Sequence, residues 1–351
     1  METNLSTHDT PPSTGRIEFI DALRGFVMIV VVMHHVDIFS LNVGAFSFNH
    51  IWMQIQMPTF FFISGFCAYK ANTEWDLRNA GTFLSKKIPM LIIGTSIFLI
   101  LFTQYRDMDL YIAIFAQFKG GYWYTYTLFL FYVFYVILCL FTKRYQDIIF
   151  ILAAIAVYMG GGPNGYISFP LPEKIKGFLC MQQWHYFFYF LIGALAHKHY
   201  SLLRRGLDNR YIISTAIVLF CVLNLYPQWK PTSGIPFRIV HLTQITSGVL
   251  ILFSFFRNRQ SFFSERALLG RSLQYVGKRT LDVYFIHYFL IPFNLSQITS
   301  TLLKEFPMPI IDLMISFILS LAIVGVSLLA GNIIRLSPFL AYWTFGQRNK
   351  K

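Results

Sequence analysis

Apolar runs of about 20 residues recur along this whole chain, and each is long enough to cross the hydrocarbon of a bilayer as a helix. Ten candidate spans are read at about 17–38, 51–69, 86–103, 122–141, 147–160, 180–197, 211–226, 239–256, 277–296 and 312–334. The fifth and seventh are short, and an apolar piece near 110–118 reads as an interfacial or re-entrant helix. With 55% hydrophobic and 13% charged residues, little is left for a soluble domain once the spans are removed. The expected class is an all-α polytopic integral membrane protein. A polar tail covers 1–16, the membrane domain 17–335, and a second tail 336–351. The N-terminus lacks a charged region leading directly into an apolar one, so the first span reads as an uncleaved signal anchor.

A net charge of +13 raises the question of nucleic acid, but the basic residues fall between the apolar runs. With ten spans and both termini in the cytoplasm, 21 of the 29 Lys and Arg are cytoplasmic, 7 lie outside, and Arg24 lies within the first span. That bias is what the positive-inside rule expects, so the charge reports topology and no nucleic-acid partner is called for. The four cysteines are scattered, with neither metal-ligand spacing nor a disulfide pattern.

The first span, IEFIDALRGFVMIVVVMHHVDI, carries Asp21, Arg24, His34, His35 and Asp37 in an otherwise lipid-compatible helix. Arg24 and His35 are eleven residues apart, about 20° from one face, and about 16 Å apart along the axis. Asp21 precedes Arg24 by three residues and shares that face. Ionisable groups in a membrane helix face a bundle interior, a wet cavity or a partner, so this helix reads as one wall of a polar site.

Other spans add candidates. The second contains Gln54, Gln56, a kinking Pro58, and Ser64–Gly65, which thin the helix for close approach. Gly120–Gly121 break the chain before Tyr122, Trp123, Tyr124 and Tyr126, which suit an aromatic belt or a sugar platform. Gln182, Gln183 and His185 fit either the outer mouth of a cavity or a structural role. His197 and His199 sit beside basic loop residues and read as interfacial. In the ninth span Lys278 and Arg279 anchor one end, and His287 stands near the middle, about 140° round from Asp282. The last span reads as a packing helix.

Taken in order, these stretches resemble the acyltransferase 3 family of integral membrane acyltransferases. DALRGFVMIVVVMHH resembles the opening motif, in which a basic residue precedes a histidine by ten intervening residues, here Arg24 and His35. MPTFFFISGF (57–66) resembles the Pro-x-Phe-Phe-x-x-Ser-Gly-Phe element, and GYWYTYTLFLFYV the Trp-containing start of a later helix. YFLIGALAH is similar to a Gly-containing helix pattern, and YVGKRTLDVYFIH (275–287) to the closing Gly-x-x-Ser/Thr-Leu-x-x-Tyr-x-x-His pattern, with Thr280 where many relatives have Ser.

The resemblance implies transfer of an acyl group, acetyl from acetyl-CoA above all, to a hydroxyl of a cell-surface or lipid-linked glycan. It implies a bacterial cytoplasmic (inner) membrane location, and acyl-CoA as co-substrate with no permanently bound cofactor. The bilayer is a further partner, and a homo-oligomer is compatible with the sequence. His35 is the implied base or covalent acyl relay; the residues alone leave His34 equally open, and the family register selects His35. Arg24, oriented by Asp21, is implied to hold the donor through its guanidinium fork. His287 completes the cavity, Lys86, Lys87, Lys278 and Arg279 are candidate contacts for the donor phosphates, and Ser64 or Thr280 would steady the oxyanion. The competing class is a transporter or flippase for a glycan or other polar solute, which also uses buried charge on broken helices.

Overall fold

A computed structural model describes residues 17–41, 49–71, 73–142, 145–162, 170–292, 295 and 309–347. Every regular element among them is helical. The N-terminal tail, Lys143, Arg144, Lys304, the centre of the Gly/Pro loop after 162, the end of the ninth span past 292, and the last four residues lie outside the described residues, as does the side chain of Asp312.

Helix α1 (Glu18–Val36) widens into a π turn at Asp37–Leu41 and is followed by α2 (Asn49–Ala68). Then come α3 (Leu77–Ser85), a π turn at Pro89–Ile93, α4 (Gly94–Tyr105), and the six-residue α5 (Leu110–Phe115), which is the apolar piece expected near 110–118. Next are α6 (Trp123–Phe141), α7 (Gln146–Gly160), α8 (Glu173–Phe178), a 3-10 turn at Met181–Tyr186, and α9 (Phe187–Lys198). The chain continues through α10 (Tyr200–Asp208), α11 (Arg210–Leu225), α12 (Gly234–Asn258), α13 (Leu268–Lys278) and α14 (Thr280–Leu290). It ends with α15 (Pro309–Ile334) and α16 (Pro338–Phe345).

Among the described residues four helices are long and apolar enough to cross a membrane: α1 with its π turn, α6, α12, and Leu313–Ile334 of α15. Two bent pairs raise this to six if each pair is one span, α3 with Pro89–Tyr105 at 42° and α10 with α11 at 74°. Of the remaining stretches, the second is the continuous 20-residue α2, which falls outside this apolar set, and the others are helical but broken or short. The sixth opens as a 3-10 turn, and the ninth is split at Arg279, where φ −127° and ψ 29° interrupt the helix between α13 and α14. The third is broken at Pro89, which has no N–H to give, and the chain passes it as a π turn.

Two glycine-mediated crossings fix the bundle. Gly25 of α1 meets the backbone of Leu273 and Gly277 on α13, and Gly277 meets the backbone of Asp21 and Gly25. A Cβ at either site would overlap a carbonyl of the other helix. Gly65 of α2 packs on Phe190, and Gly193 of α9 packs on Phe62, with the same consequence. Small residues are what let membrane helices approach backbone to backbone. Aromatic rings fill the wider gaps: Phe98 stacks on Phe285 with centroids 4.8 Å apart, and Phe61 packs on Phe131 at 5.0 Å.

Many buried polar groups are drawn into hydrogen bonds, as a low-dielectric interior favours. Thr59 Oγ1 donates to the Ile55 carbonyl at 2.6 Å, spanning Pro58, and Thr95 does the same to Leu91 at 2.6 Å. Gln54 accepts from Gln244 Nε2 at 2.7 Å, which also donates to Asn224 at 2.9 Å, tying α2, α11 and α12 together. Asp282 is fully buried and receives Arg335 Nη2 at 2.6 Å and Nε at 2.9 Å. Arg335 also stacks on Phe345 and bonds Gln347, which straps α16 across the end of α14. The last span therefore packs, but it also brings Ser316 onto Asp37 and carries Arg335 at its exit.

Candidate active site

A chamber of about 850 Å³ runs through the bundle between α1, α2, α4, α6 and α14. Both π turns border it, through Ile38 and Phe39 at one end and Met90 and Leu91 towards the other. A π turn widens a helix, and such turns concentrate at functional sites. Arg24 and His35 both line the chamber, so one helix supplies its two ends.

At the Arg24 end, Asp21 lies behind the guanidinium, with Oδ1 3.8 Å from Nη1 and only 3% exposed. Lys87 enters the same end at the break before Pro89, its ammonium 4.8 Å from the Tyr132 ring centroid. Thr280 lines the chamber as well, seven residues before His287. Ser64 also lines it, and its hydroxyl is 3.3 Å from that of Tyr124. Among the described residues no carboxylate lines the chamber.

At the other end, His287 Nδ1 lies 2.9 Å from the Val283 carbonyl, which only accepts, so Nδ1 carries the proton. In the neutral ring Nε2 is then an acceptor, and it lies 3.0 Å from His35 Nδ1. His35 therefore donates from Nδ1, which leaves the lone pair on Nε2. Tyr288 presents its hydroxyl to that nitrogen at 3.1 Å. The tautomers are assigned by this network. Its consequence is that His35, which lines the chamber beside His34, keeps an unprotonated Nε2 and is held in place by a fully buried second histidine.

The turn before α6 holds Tyr288 in position. Gly121, at φ +106°, faces the Tyr288 ring so closely that a Cβ there would overlap it. Tyr284 donates to the Gly121 carbonyl at 3.1 Å and accepts from the Tyr124 N–H at 3.1 Å, fastening α14 to the start of α6. Beside it, Lys119 is buried and caps two short helices, donating to Ile114 at 2.5 Å and to Gly177 at 3.3 Å. Burial pulls its ammonium below the ordinary lysine value, opposed by the Cys180 thiol.

The structure thus brings together Arg24, Asp21, His35 and His287, with Lys87 added at the Arg24 end. It does not bring in the other basic candidates. Lys86 is exposed, Lys278 pairs with Glu265, and Arg279 stacks on Tyr275 and bonds Asn332; none lines the chamber. His197 Nδ1 donates to the Phe66 carbonyl at 2.6 Å and the ring stacks on that of Phe66, while His199 pairs with Asp147 at 2.8 Å. His185 turns back to the Gln182 carbonyl at 2.9 Å. The sequence reading missed Tyr288, whose only signal is its place next to His287.

No curated protein and no solved structure matches the chain significantly. A family comparison matches residues 17–331 to the acyltransferase domain of the acyltransferase 3 family. That match takes in the first helix with Arg24 and His35, the glycine crossings, and α14 with His287. The chain belongs to the acyltransferase 3 family, and its reaction is acyl transfer.

Proposed function

We propose that the protein transfers an acyl group, with acetyl as the leading candidate, from acyl-CoA to a hydroxyl of a surface or lipid-linked glycan. The observation that carries this reading is the chamber itself: Arg24 and Lys87 at one end, an imidazole nitrogen with its lone pair free at the other, Arg106 lining it beyond Phe102, and no carboxylate among the described residues that line it. The donor fits that layout. Its phosphates are anions for Arg24 and Lys87. Its pantetheine arm, thirteen bonds from phosphorus to sulfur, reaches about 15 Å when extended, close to the roughly 16 Å rise from Arg24 to His35.

His35 Nε2 accepts the proton of the acceptor hydroxyl as its oxygen attacks the thioester carbonyl carbon. The C–S bond breaks, and the proton passes from Nε2 to the departing thiolate, leaving an ester and free CoA. During the step His35 Nδ1–H stays on His287, so the imidazolium keeps its orientation. The reading places the Arg24 end in the cytoplasm with the donor, the ten helical stretches as ten crossings, both termini cytoplasmic, and the protein in a bacterial inner membrane. The basic bias of the loops supports that orientation.

The test is thiol release from acetyl-CoA by the purified protein in nanodiscs, alongside mass spectrometry of surface glycans from cells with and without the gene. Loss of an acetyl increment, reproduced by His35→Ala, is the expected result. A glycan transport defect with no His35-dependent thiol release would replace this reading with the transporter class.

A further inference from the structure

Two buried amides each leave one polar atom without a hydrogen-bond partner among the described residues. Gln56 of α2 is 4% exposed and its Oε1 is unmatched; Gln183, in the 3-10 turn before α9, is 5% exposed and its Nε2 is unmatched. Both line the chamber. Leaving a buried polar group unsatisfied costs about 1–3 kcal/mol. Gln244 and Gln274 also carry an unmatched Oε1 among the described residues, but of these four amides Gln56 and Gln183 are the two that line the chamber, where a molecule that enters can satisfy them. Gln54, two residues away on the same helix, shows the contrast, since it is paired with Gln244.

The surroundings say what kind of group enters. Tyr186, three residues after Gln183, stacks face to face on Trp123 with centroids 5.9 Å apart and planes 20° apart, and on Phe61 at 5.3 Å and 18°. Trp123 and Tyr186 line the chamber with the two amides. An amide both donates and accepts, as a hydroxyl does, so the match holds whichever way each amide is turned. A rigid aromatic wall beside neutral amides suits a ring with C–H groups on its face and hydroxyls on its edge.

We propose that Gln56 and Gln183, with Trp123 as platform, form the acceptor subsite, and that the acceptor moiety they hold is a sugar ring. The subsite rests on the acyl-transfer reading above and deepens it: the amides fix the ring by two of its hydroxyls so that a third faces His35 Nε2.

The test uses full-length protein in nanodiscs, acetyl-CoA, and p-nitrophenyl glycosides of a hexose, a deoxyhexose and an N-acetylhexosamine as probes. The wild type is expected to acetylate at least one. Gln56→Leu and Gln183→Leu, which keep side-chain volume, are expected to raise the KM for that glycoside about tenfold each. The KM for acetyl-CoA should move less than twofold, and the unfolding midpoint should hold or rise because an unmatched amide has been removed. Quenching of tryptophan emission by the same glycoside, lost in Gln183→Leu, reads binding without turnover. If both KM values rise together, the amides serve the fold or the donor and the subsite is wrong. If His35-dependent thiol release occurs but no glycoside is acetylated or bound, the sugar subsite falls while acyl transfer stands. If no thiol is released at all, the acyl-CoA reading fails first.

Discussion

His35 donates from Nδ1 to Nε2 of His287 at 3.0 Å, and His287 in turn donates to the Val283 carbonyl at 2.9 Å. This chain of bonds sets which nitrogen of His35 is basic. His35→Ala should therefore lower kcat by about 100-fold or more, the usual span of a general base. His287→Leu should lower it nearly as far, because His35 loses its tautomer anchor. His287→Gln, whose carbonyl oxygen can still accept from Nδ1, should retain more activity than His287→Leu. Initial rates of thiol release at saturating donor and acceptor check the ordering.

At the opposite end, Arg24→Gln and Lys87→Gln should each raise the KM for acetyl-CoA about tenfold or more, the size of one charge-assisted hydrogen bond. The thioester S-acetyl-N-acetylcysteamine has no phosphates, so the same variants should change its KM little. Equal losses with both donors would mean that these cations hold the site together without reading phosphate.

Gly121→Ala places a methyl group against the Tyr288 ring at a backbone angle of φ +106°. The strain is about 1–3 kcal/mol. Activity should fall more steeply than stability, because the displaced hydroxyl is the one 3.1 Å from His35 Nε2. Paired measurements of initial rate and thermal unfolding separate the two effects.

Asp282 is buried and its charge is met by Arg335. Arg335→Gln leaves that carboxylate without its partner and should destabilise the protein by about 3–5 kcal/mol. The double variant Asp282→Leu with Arg335→Met should recover much of the loss. Unfolding midpoints in one detergent, read for the two single variants and the double, decide it.

Gly25→Ala and Gly277→Ala each put a Cβ into a facing carbonyl. Overpacking of this kind costs about 1–3 kcal/mol. Because both act on one crossing, their effects should be less than additive, which a double-mutant cycle in thermal stability will show.

The helical class, the Arg24–Asp21–His35 wall and the break at Gly120–Gly121 were legible because each follows from local rules: apolar length, helical period and glycine's access to positive φ. Pairings between distant segments were not. His287 stood out as an intramembrane histidine, but its partner lies 252 residues away, and no period connects them. Neighbouring residues separate for the same reason. Lys87 faces the chamber while Lys86 faces out, and Gln56 faces it while Gln54 turns to Gln244. Lys278 and Arg279 looked suited to phosphate until Glu265 and Asn332, from other elements, proved to hold them. The ten apolar stretches were visible, whereas the breaks at Pro89 and Arg279 interrupt the third and the ninth.

His35 stands ten residues beyond Gly25, and His287 ten residues beyond Gly277. Helix α1 touches α13 backbone to backbone at the glycines and, past the break at Arg279, meets α14 at the imidazoles. The crossing works as the zero mark of a gauge, and the two equal intervals bring both histidines to the same reading. One residue inserted between Gly25 and His35 would swing that imidazole about 100° away from its partner. In these two intervals the number of residues itself decides whether the two histidines meet.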